Sequence, residues 1–89
     1  MAAKIEVLGA GEEFTVVVSE GASATTHVVR ASKAELARLA PGAKPERVLE
    51  AAFPFLLERE PKESILSRFQ IGVISRYFPE FERELGRYL

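Results

Sequence analysis

One imidazole, His27, and thirteen glutamates are the side chains of this 89-residue chain that first suggest acid–base or metal chemistry. There is no Asp and no Cys, so carboxylates come from Glu alone and no thiol nucleophile or thiolate metal site exists. A catalytic His27 would need an orienting carboxylate and a nucleophile within hydrogen-bond reach. No acid–His–Ser order appears in the chain. His27 stands among Thr25, Thr26, Val28 and Val29, which reads as a strand, with the threonines as polar partners. A packed sheet residue is therefore expected, and a hydrolase using His27 is the third-ranked function. No His and Glu stand four apart to suggest a metal site, and no cofactor is expected. The acidic groups Glu12-Glu13, Glu58 with Glu60, and Glu80, Glu82 and Glu84 are interleaved with Arg and Lys. They read as solvated faces, with exposed pairs worth a few tenths of a kcal/mol. Gly9-Ala-Gly11 lacks the third glycine and following helix of a dinucleotide fingerprint.

Binding has better candidates. Ile71, Ile74, Phe78, Phe81, Leu85 and Tyr88 recur three and four apart, which sets large apolar side chains on one helical stripe. Ile74, Phe78 and Phe81 are expected to cover the sheet. Arg76, Tyr77 and Tyr88, at the margin of the stripe or the chain end, are of the types that anchor interfaces. They are the candidate partner-binding residues, for another protein or for a second copy of this chain. The run Ser64 to Tyr77 also has the outline of a degenerate helix-turn-helix, with Arg68 and Arg76 facing nucleic acid. Its interval from Phe69 to Ile74 is short for the turn, Pro79 would interrupt the recognition helix, and Glu80, Glu82 and Glu84 would face a polyanion. A nucleic-acid-binding accessory protein is the alternative function.

The elements that must hold these residues fall into two parts of one domain, 1–89. Residues 1–31 are rich in Val and Thr and free of Pro. Alternation over 4–8, Phe14-Thr-Val-Val-Val-Ser19 and Thr25 to Ala31 predicts a three-stranded antiparallel meander with one apolar face. Gly9-Ala-Gly-Glu12 and Glu20-Gly-Ala-Ser23 have hairpin length. Such a sheet needs helices to cover it. Residues 32–89 supply them. Ser32-Lys-Ala-Glu35 is a capping box before a short helix carrying Leu36 and Leu39, stopped at Pro41-Gly42. Pro45-Glu46 opens a helix through Leu49, Phe53 and Leu56 to about Arg59, with a bend or break expected at Pro54. Ile65, Leu66 and Phe69 are assigned to a short helix. Residues 69–74 fit a strand or a helix; the helical reading is preferred because it continues the stripe. Pro79 either kinks one helix or starts another. The fold class is α+β, with the meander followed by three or four helices packed on one face.

Composition bounds the rest. The formal net charge of −1 opposes bulk attraction to nucleic acid or anionic membrane. No apolar h-region or membrane-length stretch is present, so a cytoplasmic location is expected. Asn and Trp are also absent, and Arg is twice as frequent as Lys, a thermophile-like bias. The run from 58 to 84, with Arg-Tyr-Phe-Pro-Glu-Phe-Glu at Arg76 to Glu82, resembles small bacterial proteins that share that block. The resemblance implies no activity.

Overall fold

In the computed structural model, which describes residues 3–89, the Val- and Thr-rich part forms three strands. They are β1 (Lys4–Ala10), β2 (Glu13–Glu20) and β3 (Ser23–Arg30), paired antiparallel in chain order. Alternation puts Phe14, Val16 and Val18 of β2 on one face with His27 and Val29 of β3, all buried. The turns Gly11-Glu12 and Gly21-Ala22 join the strands. Each has positive φ at its first residue, +69° and +58°, while no non-glycine residue described has positive φ. That is the sign pattern of the type II′ turn, whose twist matches the flanking strands.

The sheet has a fourth strand, and this corrects the sequence expectation. β4 (Arg68–Gln70) lies parallel to β3 in the order β1-β2-β3-β4. Val28 N–H donates to Ser67 O at 2.8 Å, and Ile71 N–H to Arg30 O at 2.9 Å. The sheet is thus mixed and draws on both parts of the chain. The short helix expected at Ile65, Leu66 and Phe69 does not form; a 3₁₀ turn at Lys62–Ser64 leads into β4 instead. The ambiguity over 69–74 resolves as strand first and helix second.

Two helices make the crossover that a parallel pair requires. α1 (Lys33–Leu39) starts on the expected capping box, with Glu35 N–H on Ser32 Oγ at 3.1 Å and Ser32 N–H on Glu35 Oε1 at 2.9 Å. Ala43 N–H bonds Ala40 O across Pro41-Gly42, where Gly42 has φ +83°, the arrangement of a type II turn. α2 (Pro45–Leu57) has Pro at its first position and runs through Pro54 without a break. The carbonyl that Pro54 leaves without its helical donor belongs to Glu50. Both residues are half-buried, so water can reach that side.

α2 is packed on two sides. Phe53 faces the sheet, 5.4 Å from the His27 ring and 6.3 Å from Phe69. Phe55 faces the C-terminal segment, 5.0 Å from Phe81 and 6.0 Å from both Phe78 and Tyr88, all edge-on. The apolar stripe turns inward, with Phe78 and Phe81 packed against Phe55 of α2. The stripe is also divided, into α3 (Gly72–Tyr77), α4 (Phe81–Glu84) and a 3₁₀ turn (Leu85–Tyr88), with Pro79 at the first break. No described helix is long and apolar enough to cross a membrane.

Arg59 fastens α2 to this segment. Its guanidinium stacks 3.6 Å from the Phe55 ring centre and bonds Glu80 at 3.0 Å, Glu84 at 3.1 Å and Phe55 O at 3.0 Å. Buried Lys62 joins Glu63 at 2.7 Å to Glu20 at 3.3 Å, tying the 3₁₀ turn to the end of β2.

These pairs give stability a defined pH dependence. Glu80 is held below the ordinary carboxylate range by its own backbone N–H and then by Arg59; Glu82 is lowered by Arg38 and Ser75. Glu63 is lowered by Lys62. Unfolding restores the ordinary value of 4.5, so the unfolded chain binds more protons in this window and stability rises with pH. The contribution is present above 4.5 and is lost as pH falls through the lower folded-state values. The urea midpoint at about pH 3 should therefore lie below that at about pH 7. Glu80→Gln should narrow the gap; equal wild-type midpoints would contradict this account.

Candidate functional site

Where β4 gives way to α3, the chain leaves apolar surface uncovered. Leu56 of α2, Ile65 and Leu66 of the connection, Phe69 of β4, and Val73 and Ile74 of α3 line a groove of about 250 Å³. Tyr77 and Phe78 close it on one side, and Glu60 and Ser64 supply its polar groups. The floor is core: Leu56, Ile65, Phe69 and Ile74 are buried. The rim is not. Tyr77 is 69% exposed and Leu66 49%, two large apolar side chains beside one cavity.

Local structure explains the rim. Leu66 lies outside regular structure, between the 3₁₀ turn and β4, and its carbonyl accepts from His27 Nδ1 at 2.7 Å. That bond turns the Leu66 backbone toward the sheet and leaves its side chain outside. Tyr77 ends α3, one position before Phe78, which packs on Phe55. Neighbouring helical positions point about 100° apart, so with Phe78 inward Tyr77 faces out. Glu60 is half-buried and, among the described residues, joins no ion pair; the adjacent Arg59 is committed to Glu80 and Glu84. Arg76 is exposed and likewise forms no ion pair among the described residues.

The structure separates the three residues named from sequence. Tyr77 is on the groove and Arg76 is next to it in α3. Tyr88 is half-buried elsewhere, its ring against Phe55 and its hydroxyl donating to Glu58 Oε1 at 2.8 Å. Leu66 and Glu60 are groove residues that sequence reasoning missed. For Leu66 the misassigned helix concealed its exposure; for Glu60 the surrounding charges suggested a solvated turn.

His27 is 2% exposed, with both nitrogens engaged. A carbonyl can only accept, so Nδ1 carries the proton given to Leu66, and Nε2 lies within hydrogen-bond distance of Thr25 Oγ1, at 2.8 Å. Neither bond involves a carboxylate. The ring acts as a strut between β3 and the approach to β4. The helix-turn-helix geometry also is not formed, since Arg68 lies on β4 and Arg76 on α3. Among the described residues, no group of three or more His, Cys, Asp or Glu side chains could hold a metal ion. No protein-family model, curated protein or solved structure matches the chain.

Proposed function

We propose that this chain is a non-enzymatic binding module that receives a segment of another protein in the groove between β4 and α3. The observation that carries the reading is the pair of exposed side chains, Tyr77 and Leu66, flanking an apolar cavity. Isolated exposed apolar residues are common, but two of them rimming a concave core-lined surface form a binding patch. At about 250 Å³ the cavity is smaller than the roughly 300–1,000 Å³ of small-molecule sites, which favours partner side chains over a whole cofactor. Its unpaired carboxylate sets the charge of the partner. The occupant is a segment presenting large apolar side chains with a Lys or Arg beside them, placed to meet Glu60.

Selection from a random peptide display library on the immobilised protein tests this. Enriched sequences should share paired large apolar residues and a nearby basic residue. Leu66→Ser with Tyr77→Ser should weaken the selected peptides about tenfold or more while leaving the melting temperature close to wild type. No enrichment, or equal binding by the double variant, would overturn the reading.

A further inference from the structure

The free edge of the sheet is β1, and its phase can be derived. In a hairpin closed by a two-residue turn, the flanking pair is hydrogen-bonded and the bonded pairs then alternate. The closing pair Ala10↔Glu13 therefore puts Leu8, Glu6 and Lys4 in bonded pairs with Thr15, Val17 and Ser19. Ile5, Val7 and Gly9 turn their N–H and C=O groups the other way. The second hairpin supports the same rule. Its closing pair Glu20↔Ser23 leaves Val28 and Arg30 pointing away from β2, and these are the residues that bond Ser67 and Ile71 across the β4 seam. For β1 nothing takes that place. No backbone bond beyond the ladder to β2 involves Ile5, Val7 or Gly9 among the described residues.

An exposed row of this kind is a template for another strand unless proline, a bulge, repelling charge or a covering helix or loop protects it. β1 has no proline, and its register with β2 is continuous from Lys4 to Ala10. Its side chains also fit themselves. Lys4 and Glu6 lie on the open face, and Ile5 and Val7 are half-buried on the core face with Ala3. Consider an antiparallel copy related by a two-fold axis at Ile5. Ile5 then bonds Ile5 of the second copy, and Ala3 and Val7 pair with Val7 and Ala3 of the second copy. Every outward-facing backbone group of this stretch gains a partner. On the open face each Lys4 falls opposite Glu6 of the second copy, giving two cross-strand ion pairs. Moving the axis to Glu6 sets glutamate against glutamate, and moving it to Val7 sets Glu6 against Leu8. Charge selects the first register.

We infer that a second copy of this chain docks on β1 through antiparallel pairing centred on Ile5, extending the sheet across both copies. The interaction goes beyond the proposed groove and uses a different surface. It is isologous, so it closes at two copies.

Sedimentation velocity over a concentration series tests it. Wild type should show a reversible monomer–dimer equilibrium. Lys4→Glu and Glu6→Lys should each weaken the dimer about tenfold or more, because like charges then face each other twice. Mixing the two variants restores opposite charges at both positions and should return a heterodimer of wild-type affinity. Ile5→Pro removes a donor the monomer does not use, so it should stay folded by circular dichroism and be monomeric. Leu66→Ser with Tyr77→Ser should still dimerise, which separates this inference from the groove. A wild type that stays monomeric at all concentrations, or variants that dimerise as wild type does, would overturn it.

Discussion

Phe81→Ala is expected to remove about 3–5 kcal/mol of folding stability, whereas Tyr77→Ser should stay within about 1 kcal/mol of wild type. The two residues are four apart, Phe81 on the apolar stripe and Tyr77 at its margin, and their surroundings are opposite. Phe81 is fully buried, its ring edge-on to Phe55 at 5.0 Å. Phe55 also takes Phe78, Tyr88 and the Arg59 guanidinium, so it is the hub on which the C-terminal segment rests. Truncating Phe81 leaves a hole beside that hub, and α4, only four residues long, has little other apolar surface with which to refill it. A domain of this class has roughly 5–15 kcal/mol in total, so the loss is a large share. Urea unfolding of the two variants decides the point. A Phe81→Ala protein within about 1 kcal/mol of wild type would mean that the Phe55 contact does not hold α4 in place.

The second large effect is at Gly9. Its φ of +151° lies where side chains are rarely tolerated, and an added Cβ would stand 2.5 Å from Glu13 O and 2.8 Å from Phe14 Cα. Both of those atoms are backbone, so no side chain can swing aside. The strand pair must separate or slip. Gly9→Ala should cost about 2–5 kcal/mol, the sum of backbone strain and overpacking. Gly86→Ala is the control, because a methyl there meets nothing within 4 Å and φ is not positive. It should be neutral or slightly stabilising. Equal melting temperatures for the two variants would show that β1 can yield at Gly9 without loss.

The meander, the capping box and the inward turn of the stripe were legible because each has a period or a cap of its own. Phe14, Val16 and Val18 alternate over a strand of eight residues, long enough for the pattern to register. β4 has three residues, of which only Phe69 is buried, and three positions cannot display a period. Its partner β3 is also remote in sequence, with no turn signal to join them. The two readings of 69–74 were each right over part of the interval, since Phe69 belongs to the strand and Ile74 to the helix. Pro54 does not break α2, and whether such a residue breaks a helix depends on whether the freed carbonyl meets water, a matter of tertiary placement. For the groove, residue type found Tyr77, whose exposure follows from the inward turn of Phe78. Tyr88 has the same chemistry and opposite surroundings. Leu66 could be found only once the chain before β4 was known not to be helical.

The parallel seam between β3 and β4 also costs more chain entropy to close than the hairpins do. The hairpins close over two-residue turns, but the bond from His27 to Leu66 spans 39 positions. Each doubling of loop length adds about 0.6 kcal/mol to the entropy of closure, which is the source of that difference. The walls of the groove come from α2, β4 and α3, which lie together only when the seam has closed. A chain with its meander made and its crossover still open has no groove to offer. If the groove receives a partner as proposed, that partner would recognise only a finished molecule.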